Sequence, residues 1–186
     1  MKIVVCVKQV NGELNPFDAC ALETALRIEN ADITVISMGR PQVADMLKSL
    51  TRLGITRAIL LTDNAFAGAD TLATSYTLSL AIKKINPELV ICGRQSVDGD
   101  TAQVGPCLSQ MLDFSLITNV MKIDRIDNIN NKIYCISRMG EESARLPALI
   151  TVERINTLRF QVLEPKLRKL KYGMQTISVL IKIDAV

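Results

Sequence analysis

Leu89-Val90-Ile91-Cys92-Gly93-Arg94-Gln95-Ser96-Val97-Asp98-Gly99-Asp100-Thr101 reads as a buried strand, a glycine-bearing loop and the start of a helix. An apolar run containing the β-branched Val90 and Ile91 suits a strand covered on both faces. Gly93 and Gly99 let the backbone take positive φ and come close to a ligand. Asp100 or Thr101 is placed to cap a helix over about residues 101–112. The free N–H groups of its first turn would point at whatever lies above the strand, an arrangement used for phosphates. The spacing matches neither the Walker nor the Rossmann glycine pattern. Asp98 and Asp100 would repel a phosphate unless they turn away or hold Mg²⁺. On these residues alone, nucleotide binding and a capped turn with solvated aspartates both stay open.

The same strand-then-helix unit recurs towards the N-terminus. Residues 2–8 form a β-branched apolar run, followed by a helix opened by Asn15-Pro16, with Asn15 as N-cap and Asp18 at the positive end. Residues 33–38 form a second strand stopped by Gly39, and Pro41 begins a second helix that Gly54 ends. Residues 58–62 are a third strand, and Gly68-Ala69-Asp70-Thr71 leads into a long helix to about Ile85. Four such units with short connections predict a parallel sheet with helices on both faces. The crossovers should be right-handed, with the ligand beyond the carboxyl ends of the strands. After Asp113 the pattern changes: residues 115–124, 132–137 and 149–153 alternate or run apolar without helices between them, a mixed or antiparallel extension of the sheet. From Ile155 the chain is harder to place, partly helical over 167–172 and then a strand over 176–183.

The 186 residues suit one domain with a short appended arm, here divided as 1–154 and 155–186. With 48% hydrophobic and 22% charged residues, the chain is apolar enough for a core on both faces of a sheet. A net charge of +3 is too small to argue for nucleic acid, and the basic residues gather only in Lys166-Leu167-Arg168-Lys169-Leu170-Lys171. No secretory signal or membrane span is legible, which leads to the expectation of a cytoplasmic protein. The five cysteines form no CxxC pair, and in apolar runs they read as small hydrophobes. The chain has no histidine, which excludes Ser–His or Cys–His nucleophilic catalysis and His-based metal sites. A chain of this kind is expected to bind a group that carries its chemistry.

Two further loops should reach the same edge of the sheet. Asn15-Pro16-Phe17-Asp18 follows the first strand, although by itself it is an ordinary helix start with Phe17 as a hydrophobic staple. Asp63-Asn64-Ala65-Phe66-Ala67-Gly68-Ala69-Asp70-Thr71 follows the third. Three loop-to-helix entries on one edge argue for a site more strongly than any one of them.

Val5-Cys6-Val7-Lys8-Gln9-Val10, Asn15-Pro16-Phe17-Asp18 with Ala21-Leu22-Glu23, Ser37-Met38-Gly39, the stretches 65–74 and 92–106, and Leu146-Pro147-Ala148-Leu149-Ile150-Thr151-Val152 closely resemble the beta-subunit family of electron-transfer flavoproteins. The resemblance implies an α/β three-layer sandwich with a mainly parallel sheet of adenine-nucleotide-binding, Rossmann-like type, extended by antiparallel strands. It implies an electron carrier rather than a catalyst, paired with an alpha subunit that carries the redox FAD and serving a flavin-dependent dehydrogenase. The beta subunit of that family buries its own nucleotide, AMP in simple carriers and a second FAD in electron-bifurcating ones. By motif match the pocket residues here are Cys6, Asn15, Pro16, Phe17, Asp18, Met38, Gly93, Arg94, Gln95, Ser96, Val97, Asp98, Gly99, Asp100, Thr101, Ala102, Gln103 and Val104. The backbone at Cys6 and Met38 would meet the adenine, and the 93–104 loop the ribose and phosphate. The stretch 66–74 is closer to the bifurcating branch, which tilts the expectation towards FAD. Asn156-Thr157-Leu158-Arg159-Phe160-Gln161-Val162-Leu163 is similar to the family's recognition loop, with Leu163 as the apolar anchor for the dehydrogenase.

The sequence also departs from the family. Between the first strand and Asn15 only Asn11-Gly12-Glu13-Leu14 remain of a longer hairpin-like excursion, and the family continues past residue 186 with an arm that wraps the alpha subunit. Those departures suit a smaller partner interface. They also suit a stand-alone adenine-nucleotide-binding regulatory domain without redox activity. A hydrolase using Asp98, Asp100 and Mg²⁺ is a third reading.

Overall fold

β1 (Lys2–Cys6), with the sequence KIVVC, is buried along all but its first residue. A strand of that kind needs a paired neighbour on each side and apolar cover on each face. The computed structural model, which describes residues 1–159, supplies both. In chain order β1 is followed by β2 (Gln9–Val10), β3 (Glu13–Leu14), α1 (Pro16–Leu26), β4 (Asp32–Met38), α2 (Val43–Leu50), β5 (Arg57–Leu61), α3 (Thr71–Ile85) and β6 (Leu89–Gly93). Then come α4 (Val104–Leu112), β7 (Ser115–Asp127), β8 (Lys132–Ser137), β9 (Gly140–Arg145) and β10 (Ala148–Val152).

The main sheet runs β5-β4-β1-β6-β10-β7-β8-β9. The pairings from β5 through to β7 are parallel, and β7-β8-β9 is an antiparallel meander. Two apolar layers sandwich it. On one face Cys20, Leu22 and Ala25 of α1 and Met46, Leu47 and Leu50 of α2 meet Ile3, Val5, Val35 and Ile91. On the other, Leu78 and Ile82 of α3 and Leu108 and Leu112 of α4 meet Val4, Ile36, Val90 and Leu149. The architecture is the three-layer α/β sandwich expected from the sequence.

Several details differ from that expectation. α4 begins at Val104, not near 101, because Asp100 and Ala102 adopt left-handed φ of 50° and 54° and hold the chain out of the helix. Neither Asp100 nor Thr101 is the cap; Gln103 stands there and makes no side-chain capping bond. α2 starts at Val43, two residues after Pro41, the intervening turn closing through Val43 N–H to the Arg40 carbonyl at 3.0 Å. The polar edge strand β9 carries no apolar alternation, so it left no signal to read. The segment after β1 retains a minimal hairpin, β2 with β3, turned by Asn11 and Gly12 at φ of 51° and 86°. β10, last of the described strands, inserts in parallel between β6 and β7 instead of extending the edge. The helix and strand expected after 160, and Leu163 with them, lie outside the described residues.

Candidate functional site

β4 and β5 lie on one side of β1, and β6 on the other, so the chain direction across the sheet reverses at β1. In doubly wound sheets the crevice at the carboxyl ends beside such a reversal is where ligands bind. A cavity of about 960 Å³ opens there. Its floor is made by the ends of β1 and β4, at Cys6 and Met38; its walls are the 62–71 loop and the loop from Gly93 to the first turn of α4.

Gly93 explains how one wall is built. A Cβ there would stand 2.3 Å from Asp18 Oδ1, 2.7 Å from the Phe17 carbonyl carbon and 2.8 Å from Asp18 N. The amino end of α1 is pressed directly onto the end of β6, and only a residue without a side chain admits it. Gly93 is not at positive φ, nor is Gly99; close approach is what Gly93 provides. Asp18, buried in this junction, accepts Lys8 N–H at 2.8 Å and Gly93 N–H at 3.2 Å, tying the ends of β1 and β6 together. Burial pushes its carboxyl up to about 7, against hydrogen bonds from Asn15, Lys8 and Gly93 that favour the ionised form.

Asn15 occupies the N-cap position of α1 without capping it. Its side chain instead reaches across to the opposite loop, Nδ2 donating to the Gln95 carbonyl at 2.8 Å and Oδ1 accepting Val97 N–H at 3.3 Å. Lys8 adds a second tie, its Nζ lying 2.7 Å from Asp98. That ammonium holds the Asp98 carboxyl down to about 2. Asp100 accepts from Gln95 Nε2. Both loop carboxylates are therefore engaged by partners, and neither lines the cavity. Among the described residues no three His, Cys, Asp or Glu side chains gather as a metal site.

Of the residues singled out in the sequence, Cys6, Asn15, Asp18, Met38, Gly93, Arg94, Gln95, Ser96, Gly99, Thr101, Ala102, Gln103 and Val104 line this one cavity. Pro16, Phe17, Val97, Asp98 and Asp100 do not. Pro16 and Phe17 form the start of α1, whereas Val97 is half-exposed. Sequence reasoning passed over Lys8, Arg40 and Gln42, which also line it. The signal was available, since each follows closely on a strand's carboxyl end. Cys6 and Cys92 lie in register on adjacent strands, both buried and free. Hydrogen bonding to Cys6, with burial, raises the Cys92 thiol well above the usual range, so Cys92 is a poor nucleophile.

The 93–104 wall thus presents several donors and neither of its own carboxylates, whereas Asp63 and Asp70 line the opposite wall. Val104 and Gly105 begin α4 at the cavity surface, and Arg94, Thr101 and Gln103 add side-chain donors beside them. Gly105 is needed there because a Cβ would meet Thr151 Cγ2 at 2.5 Å. Comparison with known proteins bears on what such a wall is for. A family model, the electron transfer flavoprotein domain, matches residues 3–165.

The chain belongs to the electron transfer flavoprotein family. It is 39% identical to Protein FixA of Sinorhizobium fredii, over 90% of this chain and 70% of that protein. To Protein FixA of Azotobacter vinelandii it is likewise 39% identical, over 94% of this chain and 74% of the relative. The electron transfer flavoprotein subunit beta of Clostridium acetobutylicum is 40% identical over 88% of this chain and 73% of its own length. These likenesses put the chain on the beta-subunit side of the family. The loop from 93 to 104, with the strand ends that face it, falls entirely within the matched region.

Proposed function

We propose that this chain is the nucleotide-binding, beta-type subunit of an electron-transfer flavoprotein, holding AMP or FAD in the cavity beneath the 93–104 loop. It pairs with an alpha subunit whose FAD receives electrons from a flavin-dependent dehydrogenase. The observation that carries the reading is the wall itself: a helix start, an arginine and polar side chains face the cavity, while both loop carboxylates are held elsewhere, by Lys8 and Gln95. A phosphate brought there meets donors and no competing free carboxylate from the loop. The residues present therefore fit an adenine nucleotide.

The role of each residue follows from its place. Cys6 and Met38 give an apolar floor suited to the flat face of a base. Thr101, Gln103 and the first turn of α4 lie where ribose and phosphate groups need hydrogen bonds. The cavity is at the upper end of the range of roughly 300–1,000 Å³ usual for ligand sites and extends past the loop to Arg40 and Asn64. That extra room favours FAD over AMP. Bound flavin would supply the capacity to take up and release electrons; the protein's part is to fix its position and exclude water. Leu163 is the proposed apolar anchor for the dehydrogenase.

Co-expression with and without an alpha subunit tests the assembly. A yellow, stoichiometric heterodimer with nucleotide on this chain is expected. A colourless monomer that still binds AMP would favour a nucleotide-binding domain without redox activity.

A further inference from the structure

We propose that Glu153 is a positioning residue that holds the Arg94 guanidinium against the cavity wall for the anionic part of the ligand; this rests on the nucleotide reading above. Glu153 follows β10 directly and is 4% exposed, an unusual place for a carboxylate. Its Oε1 accepts from Arg94 Nη1 at 3.3 Å and pairs ionically with Arg138 Nε at 3.0 Å. Glu153 lines no part of the cavity, and nor does Arg138; Arg94 does.

The backbone around the trio is fixed at every corner. Arg94 N–H donates to the Val152 carbonyl at 2.9 Å, Glu153 N–H to Val120 at 3.0 Å and Arg138 N–H to Asn119 at 3.1 Å. The ends of β6 and β10, the Asn119–Val120 step inside β7 and the β8–β9 turn therefore converge on one buried carboxylate. Two guanidinium groups share one carboxylate, so the cluster keeps a net positive charge. A single arginine would have neutralised Glu153; the second leaves the Arg94 charge in surplus beside the cavity.

Arginine side chains lose much rotamer freedom when they are ordered, and a group ordered before the ligand arrives does not lose it on binding. Arg94 spends one N–H on Glu153 and keeps the rest of its planar fork for a phosphate oxygen pair. Arg138 pairs with the same Glu153 oxygen, and its own side chain is 61% exposed. The carboxylate thus acts on the ligand only through Arg94.

Calorimetric titration of the full chain with AMP and with adenosine tests this. Glu153→Gln should weaken AMP by about tenfold, on the scale of one charge-assisted hydrogen bond, and leave adenosine within about twofold. In an Arg94→Gln background the same change should cost nothing further, because the group it positions is gone. Equal losses of AMP and adenosine, unchanged AMP affinity, or full additivity with Arg94→Gln would overturn the positioning role while leaving the nucleotide reading intact. Absence of AMP and adenosine binding by the unmodified chain would overturn both. If Glu153→Gln does not fold, Glu153→Asp carries the test: it keeps the charge and should weaken AMP by about threefold, with adenosine unchanged. Equal losses of both ligands in that variant would count against the role.

Discussion

Asp18 illustrates how much of this site is governed by single atoms. Its carboxyl is buried and raised from 3.8 to about 7, so the folded protein retains a proton that the unfolded chain loses at lower pH. Below about pH 4 the acid is neutral in both states. Between pH 4 and 7 the unfolded chain is favoured progressively, and above 7 the cost is constant. Stability should therefore carry a component that falls as pH rises through this window. Thermal melts from pH 5 to pH 8 should show that slope, and Asp18→Asn should flatten it; an unchanged slope in the variant would remove Asp18 from the account. Gly93 makes a steric prediction at the same scale. Gly93→Ala places a methyl group against α1 backbone and should cost at least about 2 kcal/mol in urea unfolding. Gly99→Ala meets only Ser96 Oγ at 3.3 Å and should stay within about 0.5 kcal/mol.

At the scale of elements, the first turn of α1 serves the opposite loop more than its own helix. Asn15→Ala ordinarily frays a helix by about 1 kcal/mol through loss of the cap. Here the side chain makes no capping bond, so α1 should keep its amide protection while peptides covering 94–101 exchange faster. Faster exchange in α1 with an unchanged loop would contradict that assignment. A second tie lies at the far end of the described chain. Glu23 is buried and bonded to Arg27 and Arg159, and Cys20 Sγ contacts the Asn156 carbonyl at 2.8 Å. Burial alone would raise the Glu23 carboxyl, but the hydrogen bonds of Arg159 and Arg27 bring it down to about 2. The stability it contributes is present above about pH 4.5 and is lost as pH falls towards 2. Glu23→Gln should free residues 155–159 from α1 and speed tryptic cleavage at Arg159.

At the scale of the molecule, the parallel half was legible because buried strands advertise themselves as apolar runs and each following helix begins with a turn signal. β9 was not, since a largely exposed strand at the edge of the described sheet needs no apolar face. The insertion of β10 between β6 and β7 was hidden for another reason: pairing order depends on the whole sheet, not on the local string. In the site, the loops could be named from sequence, but Lys8 lies 90 positions from Asp98, Gln95 80 from Asn15 and Arg94 59 from Glu153, and no spacing rule connects them. Arg40 marks a simpler oversight, a cation directly after a strand end. Within the described residues no helix is long and apolar enough to cross a membrane. Mass spectrometry of the small molecules released on denaturing the purified protein tests most directly whether the cavity under the 93–104 loop holds an adenine nucleotide. One AMP or FAD per chain is the predicted result; a protein that releases no adenine nucleotide and takes up none when AMP or FAD is supplied would contradict it.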